Sequence, residues 1–329
     1  MSSIKAVLQP SPLSPQLELT TLPCPSREGD EHLIRVHATS PCVGELTWEA
    51  NFPALYASSK RDRVPGTEGA GTVIEAPEGS VFKAGDTVFW RTDAWLTGAA
   101  REVTVVPEKY LAHTPKSLSL DIAAATPLSS LTAWQGIFEH GTIDPAAVDG
   151  DAAAKEHNAK QRIMITGAAG AVGSWALEFA RAAGVGHIIA VCSGAKAEKA
   201  KKYGATEVID YRTSSVPTWA QTNPPVDLIF DCVGGGTIAG LWSAVKDGGV
   251  FLSVCANPAD TQPASKVVMT AKWFLVEPRG SDLGRIVALI DARSFEPQID
   301  SVVPFEQFAE AWAKVDAGKT NGKVVVKVA

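Results

Sequence analysis

A chain of 329 residues, 45% hydrophobic and 20% charged, is long enough for two domains and can bury a sizeable core, which excludes a disordered protein. Its net charge of −6 and lack of a basic stripe argue against a general affinity for nucleic acid, which draws on clustered Lys and Arg. No window approaches the roughly 18 apolar residues of a membrane span. The opening MSSIKAVLQPSPLSP has neither the apolar core of a signal peptide nor an Arg-rich amphipathic helix, and the five cysteines include no CxxC pair. The expectation is a soluble cytosolic protein acting on a small molecule.

Residues 1–121 read as short strands punctuated by Pro and Gly. In HLIRVHATS, Ile34, Val36 and Ala38 alternate with Leu33, Arg35 and His37, the two-residue period of a strand. GAGTVIEAP, DTVFWRT and REVTVVP continue the pattern between turn residues. From about 122 the texture becomes helical. IDPAAVDGDAAAKEHNAKQ lacks apolar periodicity and reads as a surface insertion. Beyond it, strands at Arg162–Thr166, His187–Cys192, Glu207–Ile209, Asp227–Cys232 and Val250–Val254 alternate with helices near 171–183, 196–203 and 236–246. That alternation predicts a parallel sheet covered on both faces, a Rossmann-like unit over 122–293. The tail 294–329 supplies a helix and a Val-rich strand that completes the first domain.

The strongest chemical signal is RIMITGAAGAVGSWALEFARAAG. An apolar strand ends at Thr166, a glycine-rich turn follows, and a helix begins. Ala168–Gly173 is AxGxxG, a dinucleotide motif with Ala168 in the first glycine position. Gly170 permits close approach of a pyrophosphate to the N–H groups at the helix start, where Ala171 and Val172 stand. Gly173 allows helix and strand to pack closely. An NAD site normally has Asp or Glu at the end of the next strand, where this chain reads AVCSGAK. Ser193 and Lys196 instead suit a 2′-phosphate, which favours NADPH.

GAAGAVG, AVCSGAKAEKAKKYGATEVIDYR, DCVGGGT and GKVVVKV, with VPGTEGAGTVIEAP and FKAGDTVF before them, resemble the zinc-independent quinone oxidoreductase and enoyl reductase branch of the medium-chain dehydrogenase/reductases. The resemblance runs nearly end to end. It implies an α/β fold of a GroES-like β-rich catalytic domain and a doubly wound Rossmann sheet. By position it places Ser193, Lys196, Tyr211 and Arg212 around the 2′-phosphate. Thr132, the Val233–Gly234 turn, Val254 and Ala256 would follow the nicotinamide end. Similar alcohol dehydrogenases take three catalytic zinc ligands, of which only the first survives here, as Cys42. The second position is Thr67 and the third falls near Leu128, so no metal is expected.

Without zinc, an activated acceptor such as a quinone or an enone is the expected substrate. The segment CVGELTWEANFPALY lines the substrate side in the resembling family. Trp48 and Phe52 are candidate cleft walls beside Cys42 and Thr67, and Tyr56, Glu45 and Thr132 are candidate catalytic groups. His113 and His140 read as structural. A carrier-bound acyl chain is an alternative substrate, and an NADPH-binding scaffold an alternative role. The resemblance also implies a homodimer paired through the strand near Lys272–Val276.

Overall fold

The computed structural model describes residues 2–59, 61–293, 295–318 and 320–329. β1 (Ser3–Leu8) and β2 (Glu18–Pro23) form an antiparallel ribbon. The expected alternating segments become β3 (Glu31–Thr39), β4 (Glu68–Glu75), β5 (Thr87–Arg91) and β6 (Val103–Pro107), followed by the short β7 (Leu111–His113). β3 is buried on both faces. Ile34 and Val36 pack with Val88 and Trp90, while Leu33 packs with Ile4 and Val103 on the opposite side.

The second half supplies β8 (Arg162–Thr166), β9 (His187–Cys192), β10 (Glu207–Asp210), β11 (Val226–Asp231), β12 (Val245–Ser253) and β13 (Thr270–Trp273). They form one parallel sheet in the order β10-β9-β8-β11-β12-β13, the doubly wound dinucleotide-binding arrangement. β14 (Ile299–Pro304) and β15 (Lys323–Lys327) return to the first sheet, ordered β14-β15-β3-β4-β5-β7 with β6 also on β3.

Two compact units result, Met1–Leu131 with Glu277–Ala329, and Thr132–Val276. The division comes at 131 and 276, where the sequence suggested 121 and 293. Asp121 explains the first difference, because its carboxylate bonds His37 at 2.9 Å and pairs with Lys327 at 3.4 Å, both in the first unit. The helix Gly280–Arg293 explains the second. Gly280 lies so close to the Leu111 backbone that a Cβ would collide with it, and Asp291 accepts the Ser117 N–H and hydroxyl at 3.1 and 2.9 Å.

Two further expectations are corrected. The helix foreseen over 236–246 ends at Leu241, because Trp242 and Val245 turn into the core as the chain enters β12. The presumed surface insertion carries a helix, Ala152–Ala159, capped by Asp151 accepting from Ala154 at 2.8 Å. Its Asn158 is fully buried and donates to the carbonyls of Asp144 and Ala183 at 3.0 and 2.9 Å. An Ala-rich helix has little apolar contrast, so its attachment rests on one amide that periodicity does not register.

Candidate active site

In the second unit, β8 leads through a tight turn into the helix Ala171–Ala182. The residue that takes the left-handed backbone is Gly167, at φ 57°. The sequence reading had given the first glycine position to Ala168, which is fully buried. Gly170 precedes the helix in an extended conformation. A Cβ on Gly173 would lie 2.6 Å from the Ala168 Cα and nearer still to the Gly167 carbonyl oxygen. The helix start can therefore seat against the turn with Ala171 and Val172 half-buried, and the first N–H groups of a helix have no partner within it.

A cleft of about 720 Å³ opens above this turn. Gly167 and Gly170 line one part of it, and Ser193, Lys196, Tyr211 and Arg212 line another. The four residues named for a 2′-phosphate, from two separate loops, thus share one cavity. Sequence reasoning missed Ser214, Ser215 and Thr237, which also line it. Ser215 caps the helix Val216–Ala220 by accepting from Thr218 at 3.2 Å, and a serine run after a strand was the available signal. Asp210 is directed elsewhere. It accepts the Arg212 N–H at 3.0 Å, and a Cβ on Gly194 would strike its carboxylate.

Val233 lines the same cleft, while Gly234, Val254, Ala256 and Thr132 are not among its lining residues. The Val233–Gly234 turn is held by Asp231, a fully buried carboxylate. It accepts from the Val233 and Gly234 N–H groups at 3.2 and 3.0 Å, and from the Thr166 and Ser253 hydroxyls at 2.5 and 2.7 Å. One side chain thereby ties the ends of β8, β11 and β12 to the turn. His140 packs edge-on against Phe274 with ring centroids 4.6 Å apart, the structural role expected of it.

The first unit gathers a buried polar cluster. Glu45 accepts from the N–H groups of Gly66, Thr67 and Cys42 at 2.7, 3.1 and 3.3 Å and from the Trp312 indole at 3.2 Å. Burial pushes its pKa up, partly offset by these donors. With both oxygens engaged, Glu45 braces two loops. Tyr56 is buried, with Arg61 5.1 Å from its ring centroid. Desolvation raises its pKa, so the phenol keeps its proton. Trp48 is half-buried and Phe52 is 47% exposed, so the three aromatics do not form one continuous buried wall. His113 bonds Asp86 at 3.2 Å, a structural contact.

Zinc does not fit this donor set. The Cys42 thiol is pushed up to about 12 by burial, and a metal-binding sulfur must lose its proton. Thr67 offers a hydroxyl, and Leu128 contributes only its N–H, donated to Glu68 at 2.8 Å. Glu68 also pairs with Lys323 at 2.7 Å. Burial would lower the Lys323 pKa, but Glu68 and Cys42 outweigh it and leave the ammonium charged. Two buried cations, Lys323 and Arg91, therefore stand where a dication would have to enter. Among the described residues no cluster of three His, Cys, Asp or Glu suits a metal.

Residues 28–116 match the alcohol dehydrogenase GroES-like domain, and residues 203–326 match the zinc-binding dehydrogenase family model. A probable zinc-binding oxidoreductase, mitochondrial, of Arthroderma benhamiae is 40% identical over 95% of this chain and 92% of its own length. The human NAD(P)H oxidoreductase RTN4IP1, mitochondrial, is 29% identical, covering 91% of this chain and 82% of that protein. Both are mitochondrial, which overturns the expectation of a cytosolic protein. Among the described residues no helix is long and apolar enough to cross a membrane. The quinone oxidoreductase of Coxiella burnetii superposes with a TM-score of 0.80 at 21% identity over 99% of this chain and 100% of that one, a likeness of fold. With a GroES-like sheet, a doubly wound nucleotide unit and a 40% identical oxidoreductase relative, the chain belongs to the medium-chain dehydrogenase/reductase family and is quinone oxidoreductase-like.

Proposed function

We propose that the protein is an NADPH-dependent reductase that passes hydride to a conjugated carbonyl or a quinone without zinc. The observation that carries this reading is the convergence of Ser193, Lys196, Tyr211 and Arg212 in one cleft with Gly167 and Gly170. Lys196 and Arg212 supply the charge a 2′-phosphate requires, and Ser193 and Tyr211 supply hydroxyl donors. The helix start at Ala171 receives the pyrophosphate. When bound, the reduced nicotinamide supplies the hydride. The Val233–Gly234 turn, Thr132, Val254 and Ala256 line its end of the site. On the acceptor side, the Tyr56 phenol, held protonated, is a hydrogen-bond donor suited to a carbonyl, with Cys42, Thr67, Trp48 and Phe52 as neighbours.

The test is a panel of quinones, enones, aldehydes and enoyl thioesters assayed by NADPH oxidation with deuterium-labelled cofactor. Label at a β-carbon is expected for an enone, in metal-free protein and with activity insensitive to chelators. No oxidation across the panel, or one tightly bound zinc per chain, removes the reading. Replacing Lys196 by Ala should cost roughly 1.5–3 kcal/mol of NADPH binding, about tenfold to a hundredfold, because a charge-assisted bond is lost. NADH affinity should hardly change. Equal wild-type affinities for the two cofactors would show that these residues do not read the phosphate.

A homodimer through β13 is also proposed. This strand is at the edge of its sheet, and Val267, Met269 and Leu275 beside it are 70%, 68% and 47% exposed. Pairing with a second copy would cover both the edge and the apolar side chains. Light scattering should give twice the chain mass. A concentration-independent monomer overturns the proposal.

A further inference from the structure

Arg91 closes β5 directly opposite Glu68 on β4, and cross-strand neighbours share a face of the sheet. It is 2% exposed, and its Nε and Nη1 are sealed without a hydrogen-bond acceptor among the described residues. Each nearby carboxylate is committed elsewhere. Glu68 binds Lys323 and the Leu128 N–H. Glu45 binds Gly66, Thr67, Cys42 and Trp312. Asp93 accepts the Tyr110 hydroxyl. The Thr67 hydroxyl, one residue from Glu68, is likewise buried without a partner. Burial disfavours the charged guanidinium, while Cys42, Asp93, Glu68 and Glu45 partly sustain it. A buried donor left unmade is costly, so a site retaining several beside Cys42 and Thr67 suits an acceptor that the chain does not itself provide.

We propose that Arg91, assisted by Thr67, receives the carbonyl oxygen of the reducible substrate and supplies the fixed positive charge that a metal supplies in zinc-dependent relatives. The inference rests on the reductase reading. As hydride from the reduced cofactor bonds to the β-carbon, the C=C pair moves between the α-carbon and the carbonyl carbon. The C=O pair then settles on oxygen, and the enolate afterwards takes a solvent proton at the α-carbon. Arg91 donates to that oxygen throughout, more strongly as its charge grows.

The probes are 2-cyclohexen-1-one and crotonate, tested on the wild-type chain and on Arg91→Met, Arg91→Lys and Thr67→Val. Arg91→Met should lower kcat/KM for cyclohexenone by about 100-fold or more, with NADPH affinity unchanged within twofold. Thermal stability should not fall, because an unsatisfied buried group is removed. Arg91→Lys should recover part of the rate, and Thr67→Val should lose a smaller part. Independently of turnover, the carbonyl stretch of bound cyclohexenone should shift to lower frequency in the wild type and not in Arg91→Met. If Arg91→Met does not fold, Arg91→Lys and Thr67→Val decide, and wild-type rates in both overturn the proposal. Undiminished kcat/KM in folded Arg91→Met overturns it as well. So does tighter Arg91-dependent binding of crotonate, which would make the site a carboxylate receptor. A wild-type chain inactive with every acceptor defeats the reductase reading instead, and the infrared shift then still tests Arg91.

Discussion

Replacing Gly173 by Val should abolish measurable NADPH binding and destabilise the second unit by about 3 kcal/mol. The side chain would have to occupy space already filled by backbone, since even a Cβ would fall 2.6 Å from the Ala168 Cα. Backbone cannot swing aside as a flexible side chain can, so the helix must back away from β8 and carry its N–H groups with it. Gly170→Ala is the informative contrast. A Cβ there meets only the Gly167 carbonyl, at 3.0 Å, so this variant should fold nearly normally and lose affinity through crowding of the phosphate. Gly167→Ala should lie between them, because φ 57° costs an L-residue roughly 1–2 kcal/mol. Urea unfolding of the cofactor-free protein and fluorescence titration with NADPH separate the three. If Gly173→Val binds within threefold of wild type, the helix start is not the phosphate seat.

The order of strands and the phosphate end of the cleft were legible because both leave local marks. β8 and β9 appear at the expected residues, since parallel strands buried on both faces read as unbroken apolar runs. Ser193 and Lys196 follow β9 directly, and Tyr211 and Arg212 follow β10, so position along the chain already implied position in space. Gly167 was passed over because a motif anchored on its later glycines points one residue too far along.

What sequence could not show was which polar group satisfies which. DTVFWRT reads correctly as a strand, yet nothing local reveals that Lys323, more than 200 residues later, takes the carboxylate facing Arg91. Glu45 looked like a candidate acid because it precedes an aromatic loop. Its four donors come from Cys42, Gly66, Thr67 and Trp312, three of them remote in sequence. Long-range hydrogen bonds have no period, so a chain can specify them without displaying them.

Asp231 is the sharpest case, and its replacement by Ala should cost about 3–5 kcal/mol. The carboxylate is fully buried and accepts from two hydroxyls and two backbone N–H groups. Leaving a buried donor unsatisfied costs about 1–3 kcal/mol, and water entering the new cavity would recover part of the total. The loss propagates because the hydroxyls are themselves acceptors. Thr166 receives the Cys232 N–H at 3.0 Å, and Ser253 receives those of Cys255 and Ala256 at 3.1 and 3.3 Å. Both loops after β11 and β12 should loosen together, lowering kcat/KM by more than the change in NADPH affinity at the phosphate end. Asp231→Asn keeps one acceptor oxygen but turns amide hydrogens toward existing donors, so it should cost about half as much. Urea unfolding with parallel kinetics makes the comparison. Stability within 0.5 kcal/mol of wild type for Asp231→Ala, on the order of ordinary surface substitutions, would mean that the strand ends hold their turns without this carboxylate.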